Sequence, residues 1–380
     1  MSKNNLYISY SSASRFKTCP TKYYFSKKYQ SRLIPSALPF GKAVESGVTK
    51  LLLGSTLEEA QREFGERWTT EEMKPGEYRA ILDNLGVQFY ASDFDKNLIL
   101  DEDAKMIEEW ADELLEDDRG WFEIFDEISD KLKSNEMSEA ELAFYNRVVW
   151  KCCEIRGYIM LQAFAEQILP KVKIYSKDGK PMVQKEVSIQ NEEGDKLVGY
   201  VDFVITHAEY QDPIIIDLKT AAYPYPEHAL KTSEQLRTYV ATLGEEVKTK
   251  LAGYIVLLKK IKVEKSCDKC GAAREGMAKK CKACGKGEYT VPSFKGDVQF
   301  VFQEYKDEEL DDVLEDYMNV TVAIKNEVNF KNPSNCMQYG RKCEFYDMCW
   351  NGKKASEISE IEEKGSTSSL TSSSDSDTTE

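Results

Sequence analysis

At 380 residues the chain is long enough to bury a full α/β core and still carry insertions, because single domains run to roughly 100 to 200 residues. No run approaches the ~20 consecutive apolar residues of a membrane span, and Met1-Ser2-Lys3-Asn4-Asn5 lacks the apolar core of a secretory signal, so no membrane association and a cytoplasmic location are expected. Only His207 and His228 are available as histidines, which argues against histidine-rich metal sites and serine or cysteine triads; catalysis would have to rest on carboxylates and lysine. The net charge of -15 speaks against a phosphate-binding protein until its distribution is read. Residues 1 to 50 hold nine Lys/Arg against Glu45 alone, and residues 248 to 286 hold twelve against three acids. The acid lies between residues 51 and 145 and in the tail.

In chain order, Leu6-Tyr7-Ile8 reads as a strand, and Ser9 to Ser14 offer N-caps for a helix through Phe16 and Tyr23 to Tyr29, interrupted at Cys19-Pro20. A second helix begins near Pro39-Phe40-Gly41 and carries the stripe Val44, Val48, Leu51, Leu52, with Glu45 beside it. Residues 56 to 170 are rich in helix formers, with Ile107, Trp110, Leu114 and Leu115, then Ile155, Ile159, Leu161 and Phe164, at helical spacing. Cys152-Cys153 within that segment reads as core packing. From Val183 the period changes to two: Val183 to Ile189 and Lys196 to Thr206 flank the turn Asn191 to Gly194, and Pro213 to Thr220 is a third, very apolar strand. Ser233 caps a helix through Leu243, Gly253 to Lys259 is a strand, and a strand Val298 to Gln303 precedes a helix near Glu308 to Lys325. Residues 354 to 380 are Ser/Thr/Glu/Asp-rich without periodicity and are expected to be disordered.

In Ile214-Ile215-Ile216-Asp217-Leu218-Lys219-Thr220 an acid and a lysine two residues apart end an apolar strand, so both side chains share a face. Asp202 interrupts a second apolar strand, where burying an unpaired carboxylate costs several kcal/mol. Two such acids on neighbouring strands repel unless a cation lies between them, and a hard divalent ion resolves the conflict. That arrangement suits phosphodiester hydrolysis, with a lysine orienting water or stabilising developing charge. Alone, D-x-K is a weak signal and better fits a structural ion pair of Asp217 with Lys219, with Asp202 hydrogen-bonded nearby.

With Gly41-Lys42-Ala43-Val44-Glu45, Gly199-Tyr200-Val201-Asp202, Asp217-Leu218-Lys219-Thr220 and Gln235-Leu236-Arg237-Thr238-Tyr239 in this order, the chain resembles the RecB-like branch of the PD-(D/E)XK nucleases, which includes CRISPR-associated and phage exonucleases. The resemblance implies an α/β fold with a mixed central sheet of restriction-endonuclease-like type, carrying a large helical insertion. It implies Asp202, Asp217 and the Leu218 carbonyl as ligands for catalytic Mg²⁺ or Mn²⁺, Lys219 assisting the water, and Gln235 with Tyr239 supporting the site. Glu45 stands where RecB-like members often have histidine and λ-exonuclease-like members have glutamate, and a carboxylate there still suits such a metal.

Cys267-x-x-Cys270 and Cys281-x-x-Cys284, each followed by glycine, have the spacing of a tetrahedral, structural Zn²⁺ site in a small ribbon; a redox pair or free thiols are the other reading. Cys19, Cys336, Cys343 and Cys349 resemble the ligands of iron-sulfur nucleases of the same branch, which implies a [4Fe-4S] cluster tying the chain ends, although the gap from Cys336 to Cys343 exceeds the usual two residues. Unligated core cysteines are the alternative. The expected boundaries are residues 1–55 and 171–261 for the nuclease core, 56–170 for the helical insertion, 262–295 for the zinc ribbon, 296–350 for the last core strand, helix and cluster cysteines, and 351–380 for the tail. The expectation is a metal-dependent DNA exonuclease of recombination, repair or end processing in a bacterial or phage-infected cell. Its partners would be DNA and a helicase, recombinase or similar replication protein. A DNA-end-binding module that cuts little is the competing reading, and a zinc-ribbon interaction protein accounts only for residues 262 to 290. Lys17, Lys22, Lys27 and Lys28 are expected to guide phosphates to the site.

Overall fold

The computed structural model describes residues 5–31, 33–35, 37–70, 79–82, 87–90, 139–272, 274, 278–338, 341–358 and 361–364. The contacts group into two compact units. One comprises residues 34–187 and 199–314, the other residues 1–33, 188–198 and 315–380. Ile107, Trp110, Leu114 and Leu115 lie outside the described residues.

The larger unit is built on helices α1 (Ala37–Leu52), α2 (Leu57–Thr70) and α3 (Glu139–Gln167), on the parts of strands β1 (Val183–Gln190) and β2 (Lys196–His207) up to Val187 and from Gly199, and on strand β3 (Tyr210–Ala221). Helix α4 (Glu234–Val247), strand β4 (Leu251–Leu258), the hairpin β5 (Lys262–Cys267) and β6 (Tyr289–Lys295), and strand β7 (Val298–Glu304) follow. The sheet runs β2, β3, β4, β7, with β1 and Val172–Ile174 also paired to β2. It is mixed: β2 and β3 are antiparallel, β3 and β4 parallel, β4 and β7 antiparallel. The parallel pair requires a crossover, and α4 supplies it.

Ile214, Ile216, Ile255 and Leu257 face a core shared with Val44, Val48 and Leu51 of α1, Phe64 and Trp68 of α2, and Leu161 and Phe164 of α3. Ile215, Val204, Tyr254 and Val256 face the other way, onto Leu236, Tyr239, Val240 and Leu243 of α4. A sheet covered on both faces explains why β3 and β4 read as unbroken apolar runs. Segment 56–170 is not helical throughout. Arg79–Leu82 and Val87–Tyr90 form an antiparallel pair between the helices.

In the smaller unit, Tyr7–Ser9 pairs in parallel with Lys196–Val198. Ser9 caps the helix Tyr10–Thr18 by accepting from the Ser12 amide, and a second helix starts at Pro20, leaving Cys19 in extended conformation at the break. Within the segment beyond residue 351, Ala355–Glu357 form a 3-10 turn and Ile361–Glu363 pair with Tyr29–Ser31. Ile361 is buried, which explains how so polar a segment is held.

Gly253 leaves no room beside β7: a Cβ there would lie 2.1 Å from the Val301 carbonyl oxygen and 2.5 Å from the Phe302 Cα. Backbone cannot yield as a side chain can, so Gly253→Ala should cost about 1–3 kcal/mol by overpacking. A lowered chemical-denaturation midpoint would show it, and an unchanged midpoint would mean the two strands part freely.

Candidate active site

Asp202 and Asp217 lie on the neighbouring strands β2 and β3, each next to the paired residues Phe203 and Ile216, where continuing the antiparallel register sets them opposite one another. Directly opposed residues bring their Cβ atoms to about 5 Å, so the two carboxyls are forced neighbours. Asp217 is 1 % exposed. Its Oδ2 meets the Lys219 ammonium at 2.5 Å, and this buried atom has no hydrogen bond of good geometry. Asp202 accepts from the Leu218 amide through Oδ2 at 2.8 Å and, through Oδ1, from Gln184 Nε2 at 3.3 Å. The same Gln184 amide donates to Glu45 on α1.

Behind the lysine runs a polar chain: Lys219 Nζ donates to Gln235 Oε1 at 3.4 Å, and Gln235 Nε2 donates to the Tyr239 hydroxyl at 2.7 Å. The four-residue spacing on α4 stacks Gln235 and Tyr239 on one helix face. The structure therefore connects all six residues the sequence singles out for catalysis: Glu45, Asp202, Asp217, Lys219, Gln235 and Tyr239. The sequence reading missed Gln184. It sits in β1 with φ +46, a left-handed conformation costly for a side chain with a Cβ, and such strain gathers at functional positions. A lone glutamine in an alternating strand gives no sequence signal of this.

Burial and then the charges of Asp217 and Glu45 push the Asp202 carboxyl up to about 8. Glu45 is raised by burial and by Asp217, and Asp217 by burial against the opposing pull of Lys219. Burial alone would lower Lys219, but Asp217 outweighs it and holds the ammonium charged. Three acids raised together, met only by nitrogen donors of the protein, fit a centre built for a divalent cation; Glu45, Asp202 and Asp217 are the side chains that would hold it. These oxygens are not drawn together as closely as the ribbon thiols. Among the described residues, only Cys267, Cys270, Cys281 and Cys284 place their ligand atoms all within 4.8 Å of one another.

In that ribbon the Sγ atoms of Cys267 and Cys284 are 3.7 Å apart and those of Cys270 and Cys281 3.6 Å, the separations expected around one tetrahedral ion. Each knuckle closes by a bond from the following glycine amide to its first cysteine carbonyl, with Gly271 and Gly285 at φ +69 and +66, a turn only glycine makes without strain. The Cys284 amide helps to pull the Cys281 thiol down to about 6. Although the Ala272 amide favours the Cys270 thiolate, the neighbouring sulfurs push Cys270 up to about 12. Four thiolates cannot all ionise there without a cation.

In the smaller unit, Cys19, Cys336, Cys343 and Cys349 line one cavity with Phe25 and Trp350. The long gap in their spacing is folded away: Met337–Gln338 pair with Arg341–Lys342, and the Cys343 amide donates to the Cys336 carbonyl at 2.8 Å. Asn332 and Asn335 both donate to the Thr18 carbonyl, fixing Cys19 to the C-terminal segment. The Trp350 indole donates to Cys336 Sγ at 3.2 Å. Burial raises the Cys343 thiol to about 11 and also raises Cys349. Of the basic N-terminal residues, Lys17 pairs with Asp316 at 3.1 Å and Lys22 with Glu344 at 3.0 Å, so part of that charge is neutralised locally.

A mixed sheet covered by helices carries two neighbouring aspartates and a lysine at the end of a central strand, the arrangement of a candidate hydrolase centre. Residues 7–350 match the family model of the PD-(D/E)XK nuclease superfamily, and the chain belongs to that superfamily. No curated protein matches it significantly. Among the described residues, no helix is long and apolar enough to cross a membrane.

A carboxyl whose pKa rises on folding, from the usual ~4 to about 8 for Asp202, stabilises the fold below pH ~4 and loses that contribution as the pH climbs through 8. Protein treated to remove the loosely held divalent metal should therefore melt at falling temperature between about pH 4 and 8. Mg²⁺ or Mn²⁺ should reverse the fall and release protons on binding at pH 7. Thermal melts, with calorimetry in buffers of different ionisation enthalpy, test this. Asp202→Asn should flatten the profile, and an identical profile in that variant would refute the coupling.

Proposed function

We propose that the protein is a Mg²⁺- or Mn²⁺-dependent deoxyribonuclease, exonucleolytic in action and employed in recombination, repair or end processing of DNA. The observation that carries this reading is the facing pair Asp202 and Asp217 with Lys219 on the same face, backed by Gln235 and Tyr239. Glu45, Asp202, Asp217 and the Leu218 carbonyl would hold the metal. A divalent cation bound there supplies charge neutralisation at the scissile phosphate and acidifies an attacking water. Lys219 remains an ammonium at neutral pH, so it orients water by donation and offsets charge developing on the phosphate oxygens. Gln235 holds that ammonium in line, and Tyr239 holds Gln235. The Leu218 amide fixes one oxygen of Asp202 and leaves the carboxylate aimed across the strands.

End-labelled linear and circular DNA, incubated with Mg²⁺, Mn²⁺ or EDTA, separates exonuclease from endonuclease. Asp217→Ala and Lys219→Ala should each lower turnover by roughly 10²–10³ with the fold intact, the magnitude typical for losing one preorganised charge partner. Full activity in either variant excludes the reading, and tight end binding without cleavage by the intact protein would favour the binding module instead.

The ribbon cysteines are assigned to structural Zn²⁺ and Cys19, Cys336, Cys343 and Cys349 to a [4Fe-4S] cluster, whose four irons hold thiolates farther apart than one ion does. Protein purified without oxygen should contain about one zinc and about four irons per chain, with a brown charge-transfer absorption. Zinc without iron would remove the cluster and leave the ribbon.

A further inference from the structure

The ribbon carries a charge that a purely structural metal site does not need. Residues 259–295 contain eleven Lys/Arg against four acids in a chain of net charge -15. Lys279, Lys280, Lys282 and Lys286 crowd the second knuckle, all four exposed and, among the described residues, none in an ion pair. Four thiolates around Zn²⁺ carry a net charge of about -2 and offset about half of this cluster; the remaining positive charge is costly through self-repulsion unless a further anion meets it.

The place of the ribbon says which anion. Strand β3 carries Lys219 next to its carboxyl end, in register with Val256 of the parallel strand β4, and Ala221 is in register with Leu258. One residue later the Lys259 amide donates to the Ala221 carbonyl at 2.8 Å, and β5 departs at Lys262. The root of the ribbon is thus pinned two strand residues, about 7 Å, beyond Lys219. In open α/β sheets the carboxyl ends of parallel strands are where ligands enter. The hairpin itself lacks the aromatic platform that stacks bases: Tyr289 is buried against the cysteines and Phe294 packs into the main core.

We infer that the ribbon is a second nucleic-acid contact, a sequence-independent clamp in which Lys279, Lys280, Lys282 and Lys286 bind backbone phosphates of duplex DNA next to the active site. The inference rests on the nuclease reading for its substrate but not for its test. The metal's part is to hold a segment too short for its own core, so that the lysines present a fixed surface.

The experiment compares the full-length protein with the quadruple variant Lys279→Gln, Lys280→Gln, Lys282→Gln, Lys286→Gln and with the corresponding Lys→Arg variant. Fluorescence anisotropy measures binding to two duplexes of unrelated sequence across a range of KCl, without added divalent cation so that nothing is cut. Each lost phosphate contact removes about 0.9 from the slope of log K against log salt. The glutamine variant should therefore lose roughly 2–4 units of slope equally on both duplexes, while the arginine variant keeps the slope. Zinc content and melting temperature should match wild type in both. An unchanged slope in a glutamine variant that retains its metal overturns the clamp, as does a loss confined to one sequence. If the wild type binds with the expected slope but cuts no DNA, the nuclease reading fails and the clamp stands. If it cuts and the slope is unmoved, the reverse holds.

Discussion

Everything at the candidate centre follows from placing two carboxylates opposite one another on adjacent antiparallel strands. An isolated pair of this kind inside a sheet covered on both faces would drive the strands apart or hold its protons. The surrounding protein holds the strands together, while Asp202 keeps its proton up to about pH 8. The Leu218 amide holds Asp202, the Lys219 ammonium sits on Asp217, and the apolar grip of Ile214, Ile215 and Ile216 keeps the register that makes the acids meet. A one-residue slip of β3 would send both Asp217 and Lys219 to the opposite face, where the cores of α1, α2 and α3 leave no room for charge.

The same logic, in a different currency, recurs at the cysteines. In the ribbon, sulfur atoms under 4 Å apart stand as Asp202 and Asp217 do, like groups forced together that only a cation reconciles. In the smaller unit the four cysteines belong to segments far apart in sequence, stitched by asparagine bonds to Thr18 and by the strand pair of Ile361–Glu363 with Tyr29–Ser31. Holding segments so distant in sequence together has an entropic cost, met here by burial of Ile361 and Phe345 and by hydrogen bonds.

The core strands, the capping serines Ser9 and Ser233 and the break at Cys19-Pro20 were legible because each is a local rule: alternation, an oxygen at an N-cap, a proline that cannot continue a helix. Asp217 and Lys219 were legible because a charge in an apolar strand demands a reason. Gln184 was not, since its importance lies in a backbone angle and in what α1 brings opposite it. The strands at Arg79–Leu82 and Val87–Tyr90 escaped because helix-forming composition around them outvoted two short runs. The ordered stretch around Ile361 escaped for the opposite reason: one buried isoleucine and a partner strand 330 residues away hold a segment whose own composition favours no structure.

The small hairpin between Cys336 and Cys343 changes what spacing means for this protein. Because Met337–Gln338 and Arg341–Lys342 run antiparallel, the number of residues between the two cysteines is decoupled from the distance between them. Residues added in pairs at the hairpin tip would lengthen the arm and leave both thiols where they are. A pattern written as a fixed count between cysteines is then a record of one arm length rather than of the geometry, and relatives with arms of other lengths would share the cavity while failing the pattern.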